Sequence, residues 1–146
     1  MSNLFIIILL TLIISFSSMD KIDCWYLNLN KSSLTPPGYI FSIVWPILYI
    51  LMSISVWIIW NKKKKISFAI QLYIIQLILN FAWSPLFFKY HCINESLILL
   101  LFILILVIII IDLFYSIDKI AGLLLIPYLI WLSFAFYLNY YIVKNN

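Results

Sequence analysis

Charge is scarce in this sequence. Only 10% of its 146 residues are Asp, Glu, Lys or Arg, and arginine is missing altogether. A soluble domain of this length needs a polar surface, so the scarcity excludes that class and points to a membrane. Glycine is nearly absent as well, at 2 residues. No GxxxG contact can therefore form, and the unbroken Ile/Leu runs suit helices rather than the alternating strands of a β-barrel. Two cysteines, Cys24 and Cys92, are too few for a disulfide framework and lack metal-ligand spacing. The single histidine, His91, falls in a short loop and reads as a solvated side chain, so no metal site is expected. No acid/base pair, nucleophile or metal cluster stands in any apolar segment, which leaves hydrolytic and phosphoryl-transfer chemistry unsupported.

What remains is hydrophobic (66%) and rich in aromatics (18%), with a mean hydropathy of +1.16. A helix needs roughly 20 mainly apolar residues to cross a bilayer. Such windows predict five membrane helices, at 4–16 (reaching 19 if tilted), 39–60, 66–88, 96–115 and 121–143. The expected fold is an all-α integral membrane protein, a five-transmembrane-helix bundle forming one domain over 1–146. The first window could pass for a signal peptide, but it has no Lys or Arg before it and "SFSSMD" is a poor cleavage site, so a retained helix is expected. The longest connection, about 20–38, ends in Pro36-Pro37-Gly38, a firm start for the second span. The other connections are short and imply antiparallel neighbours. An odd number of spans without a repeated hydropathy pattern argues against inverted-repeat transporters, and no ionisable group lies at a span centre to couple transport.

Lysines near span ends set the sidedness. Lys62, Lys63, Lys64, Lys65 and Lys119 gather on one side, Lys21, Lys31, Lys89 and Lys144 on the other. The four-lysine run puts the N-terminus inside and the C-terminus outside. Squeezed between two apolar segments, that run flanks a lipid bilayer and does not read as a nucleic-acid surface. Cys24 and Cys92 share the outer side, open either to a loop disulfide or to two free thiols. Asp112, near the inner end of its span, reads as a snorkelling side chain.

Within the apolar segments a few polar groups need a reason. "NFAWSPLFF" at 80–88 places Asn80, Trp83, Ser84 and Phe87 on one helical face, with Pro85 kinking or ending the helix. An amide in hydrocarbon must be hydrogen-bonded, so Asn80 should face the bundle. In the last span Trp131, Ala135 and Asn139 follow at i, i+4 and i+8, and the small Ala135 leaves an indentation between larger neighbours. The second span offers Trp45, Tyr49 and Met52. Two explanations stay open. Tryptophan and tyrosine gather at membrane interfaces for their amphipathic rings, and Asn80 and Asn139 serve equally well as interhelical staples. Alternatively the three faces line a pocket suited to a large, planar, mostly apolar ligand.

Three long motifs bear on this choice. "WYLNLNKSSLTPPGYIFSIVWPILYILM", "QLILNFAWSPLFF" and "LLLIPYLIWLSFAFYLNYYIVKNN" resemble, in order, the motifs of the TspO/translocator protein family of tryptophan-rich sensory proteins and peripheral-type benzodiazepine receptors, over 25–144. The resemblance implies a five-helix bundle, often a homodimer, whose cavity binds porphyrins and drug-like molecules. It would be lined by Trp45, Tyr49, Asn80, Trp83, Ser84, Phe87, Trp131, Ala135, Leu138 and Asn139, under a lid bearing Pro36 and Pro37. The implied ligand is a protoporphyrin IX-like or sterol-like molecule, with no cofactor required. The carboxylates of a porphyrin would reach interfacial lysines such as Lys31. Some members are associated with light-dependent porphyrin breakdown, for which Trp45 and Trp131 would supply redox-active indoles. Leu138, Tyr140 and Lys144 fit the loose sterol-recognition pattern of eukaryotic members. Departures from the family pattern include Ser32, Leu34 and Tyr39 in the lid, Ser53 for a glycine, and Pro46 after Trp45.

Overall fold

The computed structural model describes residues 2–17 and 24–146, with side chains in the first segment from 6 to 13. Lys21, the extension of the first span to Met19, and the start of the lid at 20–23 lie outside the described residues. The described elements are all helical: α1 (Ser2–Ser17), α2 (Cys24–Leu27), α3 (Gly38–Lys63), α4 (Phe68–Ser84, continued by a π-turn over Pro85–Lys89), α5 (Ile93–Ile117), α6 (Lys119–Leu124) and α7 (Ile126–Asn145). Four stretches are long and apolar enough to cross a membrane: Gly38–Lys63, Phe68–Lys89, Ile93–Ile117 and Lys119–Asn145. α1, at 16 residues, is shorter.

Prolines set most of the boundaries. Pro37 caps α3 in an extended conformation, as the Pro-Pro-Gly signal predicts. α3 runs unbroken through Pro46, whose missing N–H frees the Ser42 carbonyl. It ends only where Lys64 turns left-handed (φ 50°) and returns its N–H to the Trp60 carbonyl at 2.7 Å. The helix therefore reaches three residues past 60. At the other end of α4, Pro85 ends the α-helix and a wider turn follows, with Tyr90 donating its N–H to the Pro85 carbonyl.

The last span, expected as one helix over 121–143, is divided at Leu125. Pro127 cannot donate to the Leu123 carbonyl, and Leu125 donates to Gly122 at 3.2 Å. The Ala121 carbonyl accepts from the Ser55 hydroxyl of α3 at 2.6 Å. α6 is also capped: Asp118 accepts from the N–H groups of Ile120 (2.8 Å) and Ala121 (3.1 Å) while pairing with Lys62 at 2.6 Å.

The bundle is apolar on its outer face as well as in its core. On α5, Leu100, Ile103, Val107, Ile110 and Phe114 point inward at spacings of three and four. Ile98, Phe102, Ile105 and Ile109 face outward, where only lipid suits them. α5 touches α4, α6 and α7, and α1 packs on α3. There Ser53, in place of a glycine, gives its hydroxyl hydrogen to the Tyr49 carbonyl at 2.7 Å and lies 3.5 Å from the Thr11 hydroxyl. Two small hydroxyl residues thus permit a close helix contact.

A Cβ on Gly122 would lie 2.6 Å from the Tyr115 Cβ. Gly122→Ala should therefore lower stability by about 1–3 kcal/mol, the usual cost of overpacking, read as a lower melting temperature in detergent. The Asp118 carboxyl is held below its ordinary value, first by the Lys62 hydrogen bond and then by the Ala121 N–H. Its stabilising contribution is complete above the ordinary carboxylate range, about 3.9, and disappears as pH falls through the lowered value. Melting temperature followed against pH should show this acid loss in the wild type and a smaller one in Asp118→Asn.

Candidate functional site

A cavity of about 940 Å³ opens between α3, α4 and α7 beneath the loop that carries α2. It is large for a ligand site, since typical sites hold roughly 300–1,000 Å³. Trp45 and Tyr49 come from α3, Asn80, Trp83, Ser84 and Phe87 from α4 and its π-turn, and Trp131, Ala135, Leu138 and Asn139 from α7. All ten expected wall residues are thus brought onto one surface, with Pro36 and Pro37 at its rim. Met52, on the same inward face of α3, is fully buried in the core below the cavity.

The cavity floor is a polar knot. Asn80 Nδ2 donates to the Tyr128 hydroxyl at 2.9 Å and to the Tyr49 hydroxyl at 3.3 Å, and Tyr128 donates onward to Gln76 Oε1 at 3.0 Å. Both amide hydrogens of Asn80 are spent on helix-to-helix bonds, so the residue acts as a staple and as part of the cavity wall. The sequence hinted at its partners. Gln76 precedes Asn80 by one helical turn, and Tyr128 precedes Trp131 by three residues. A staple's far end, however, belongs to another helix and cannot be read from spacing.

The walls are aromatic. Trp45 stacks on Tyr49 at 5.6 Å, Trp131 meets Trp45 edge-on at 6.4 Å, and Trp83 stacks on Phe87 at 5.1 Å. The indole nitrogens of Trp83 and Trp131 are buried without a hydrogen-bond partner, as is Asn139 Oδ1. Asn139 donates to the Ser96 hydroxyl at 3.2 Å, which itself donates to the Ile93 carbonyl. Ser96 thus has no hydrogen left for the amide oxygen. Phe41, Ser42, Phe81, Leu100 and Ile142 also line the space. Apart from Ser42, these are residues with no polar signal to single them out in sequence.

The lid is fastened at both ends. Trp25 stacks on His91 at 3.9 Å and meets Phe87 edge-on, while Tyr26 leans on Phe88. Burial pushes the Tyr26 phenol above its ordinary range. At the far end Asn30 donates its N–H to Asn146 Oδ1 at 3.0 Å and its carbonyl accepts from Asn146 Nδ2 at 3.1 Å. The Ser32 hydroxyl lies 3.3 Å from that of Tyr137. Lys31 points inward across the end of α2. Its ammonium donates to the carbonyls of Tyr26, Leu27 and Leu29 at 2.8, 3.2 and 3.3 Å. It was expected to serve ligand carboxylates, but its three hydrogens already cap the short helix.

Both thiols are free, Cys24 being exposed and Cys92 half-buried. Leu138, Tyr140 and Lys144 do not share a surface: Leu138 lines the cavity, whereas Tyr140 and Lys144 are exposed on the outside of α7.

A family model for the TspO/MBR family matches residues 3–144. The chain belongs to the TspO/MBR family. It is 33% identical over 125 residues to Protein CrtK of Rhodobacter capsulatus, covering 84% of this chain and 78% of that protein. It is 36% identical over 125 residues to the tryptophan-rich protein TspO of Chlorobaculum tepidum (84% and 79%). The Homo sapiens translocator protein is 33% identical over 126 residues (84% and 75%). The TspO/MBR assignment and the four apolar helices together make the chain an integral membrane protein.

Tyr128→Phe would strip Asn80 of an acceptor and Gln76 of a donor in a dry interior. Stability should fall by about 1–3 kcal/mol, the cost of leaving buried polar groups unmet, with Leu132→Ala as a core-packing comparison. Denaturation in mild detergent, followed by circular dichroism, reads both.

Proposed function

We propose that this protein binds a flat, largely apolar ring, of which protoporphyrin IX is the best probe, in the cavity between α3, α4 and α7. One observation carries the reading. A space of about 940 Å³ is bounded by Trp45, Tyr49, Trp83 and Trp131 and covered by a fastened lid. Flat rings stack on such walls at about 0.5–1.5 kcal/mol per contact beyond the area they bury. The unpartnered indole N–H groups and Asn139 Oδ1 add hydrogen-bonding potential around an otherwise apolar surface. Carboxylate arms would lie at the lid, where meeting Lys31 trades the α2 cap for an ion pair.

The role we infer is regulatory, stress-responsive or ligand-transporting, in keeping with relatives named a tryptophan-rich sensory protein in Cereibacter sphaeroides and translocator proteins in mammals. We read α1, packed along α3, as the fifth span. The N-terminus is placed inside, the C-terminus outside, and a homodimer is expected from the family resemblance. A second reading, light-driven breakdown of the bound ring, draws on the contact between Trp45 and Trp131 across the cavity wall, which sets two oxidisable indoles side by side.

A dark titration of detergent-purified protein with protoporphyrin IX, followed by tryptophan quenching, tests binding. Saturable quenching should weaken roughly ten-fold in Trp83→Phe/Trp131→Phe and at least as much in Ala135→Phe, which fills the indentation. Non-saturable quenching that ignores all three substitutions would reject the cavity as the binding place. Illumination of the complex then tests the second reading: loss of the porphyrin spectrum that is abolished in Trp131→Phe supports it, and an unchanged spectrum removes it.

A further inference from the structure

The end of the bundle away from the lid carries a feature that the cavity does not use. Lys62 and Lys63 close α3, Lys64 and Lys65 form the turn to α4, and Lys119 begins α6. All five are exposed. Two carboxylates lie at this end. Asp118 is bonded to Lys62 and to two backbone N–H groups. Asp112 is exposed on α5, about 9 Å deeper by helical rise. Among the described residues, the ammonium groups of Lys63, Lys64, Lys65 and Lys119 have no ion pair.

The surroundings say what these four cations face. Ile66 and Phe68 follow Lys65 directly, and Ile120 and Leu123 follow Lys119, all with more than half of their surface exposed. Apolar side chains this open belong among acyl chains, which sets the adjacent lysines in the headgroup layer. Beside them the bend between α5 and α6 leaves an open surface groove of about 530 Å³ bordered by Lys62, Tyr115, Ser116 and Lys119. The lysines at the lid end differ. Lys31 is spent on three carbonyls, Lys89 lies over the Tyr90 ring at 5.7 Å, and Lys144 stands alone on α7.

We infer that the basic end formed by Lys63, Lys64, Lys65 and Lys119 is a binding surface for anionic phospholipid headgroups. The headgroups settle over the α3–α4 turn and the α5–α6 bend while their acyl chains lie along Ile66, Phe68, Ile120 and Leu123. Each lysine near an anionic surface contributes about five-fold in association. A four-lysine cluster therefore gathers such lipids from a mixed leaflet, and the ring expected in the cavity at the opposite end plays no part in this.

The test uses full-length protein in nanodiscs of mixed phosphatidylcholine and phosphatidylglycerol, with spin-labelled versions of each lipid reporting relative association. Wild type should prefer phosphatidylglycerol by at least about five-fold, and the preference should fall as salt is raised. K63Q/K64Q/K65Q/K119Q should lose it, while K89Q/K144Q at the lid end should keep it. No preference in wild type, a preference retained by the four-lysine variant, or equal loss in the lid-end control would each overturn the proposal. Lys62 is left in place so that the Asp118 cap survives, and an unchanged melting temperature confirms folding. Should the four-fold variant not fold, K64Q/K119Q with the wild-type salt series gives the same reading.

Discussion

An amide in hydrocarbon costs several kcal/mol unless its hydrogens are bonded, and Asn80 meets that constraint by reaching two other helices. Its bonds to Tyr49 on α3 and Tyr128 on α7 fix three helices around one side chain, and Tyr128 extends the knot to Gln76. Lipid tails are as apolar as leucine, so helices in a membrane gain little by burying hydrophobic faces against each other. Directional bonds and close packing must hold the bundle instead. The cavity depends on this arrangement: below the knot Met52 and Ile103 fill the space, and above it the helices that line the cavity stand apart.

Every opening in the structure has its own fastening. The lid rests on aromatic contacts at Phe87, Phe88 and His91 and is tied to α7 by the reciprocal bonds of Asn30 and Asn146. Where the last span breaks, Leu125 donates to Gly122 and Ser55 takes the Ala121 carbonyl that this leaves. Gly122 lets α6 approach the end of α5 closely. Stability is thus concentrated at the floor and the two ends, and the lid-side part of the bundle is left open.

Much of the architecture was legible in the residues. Apolar windows located the long helices to within a few residues, because a bilayer imposes a length that composition must satisfy. Helical spacing grouped Asn80 with Trp83, Ser84 and Phe87, and Trp131 with Ala135 and Asn139, because side chains three and four apart share a face. The breaks were harder. Pro46 was compatible with a kink, yet α3 passes through it, while Pro127 divides the last span. A proline removes the same hydrogen bond in both places, and what differs is whether neighbours such as Ser55 stabilise the interruption.

Membrane residence, the helical class and the faces that turn inward were determined by the sequence alone, since scarcity of charge and helical periodicity are local properties. Only the tertiary structure decided what those faces do. Asn80 proved to be a staple as well as a wall, because its acceptors lie 31 and 48 residues away. Lys31 caps α2, because the chain folds its ammonium back onto the carbonyls of Tyr26, Leu27 and Leu29. Leu138 parted from Tyr140 and Lys144, because a helix turns residues two and six positions along toward its other side. Hydrogen-bond partners distant in sequence are chosen by packing, and no pattern within a single helix records that choice.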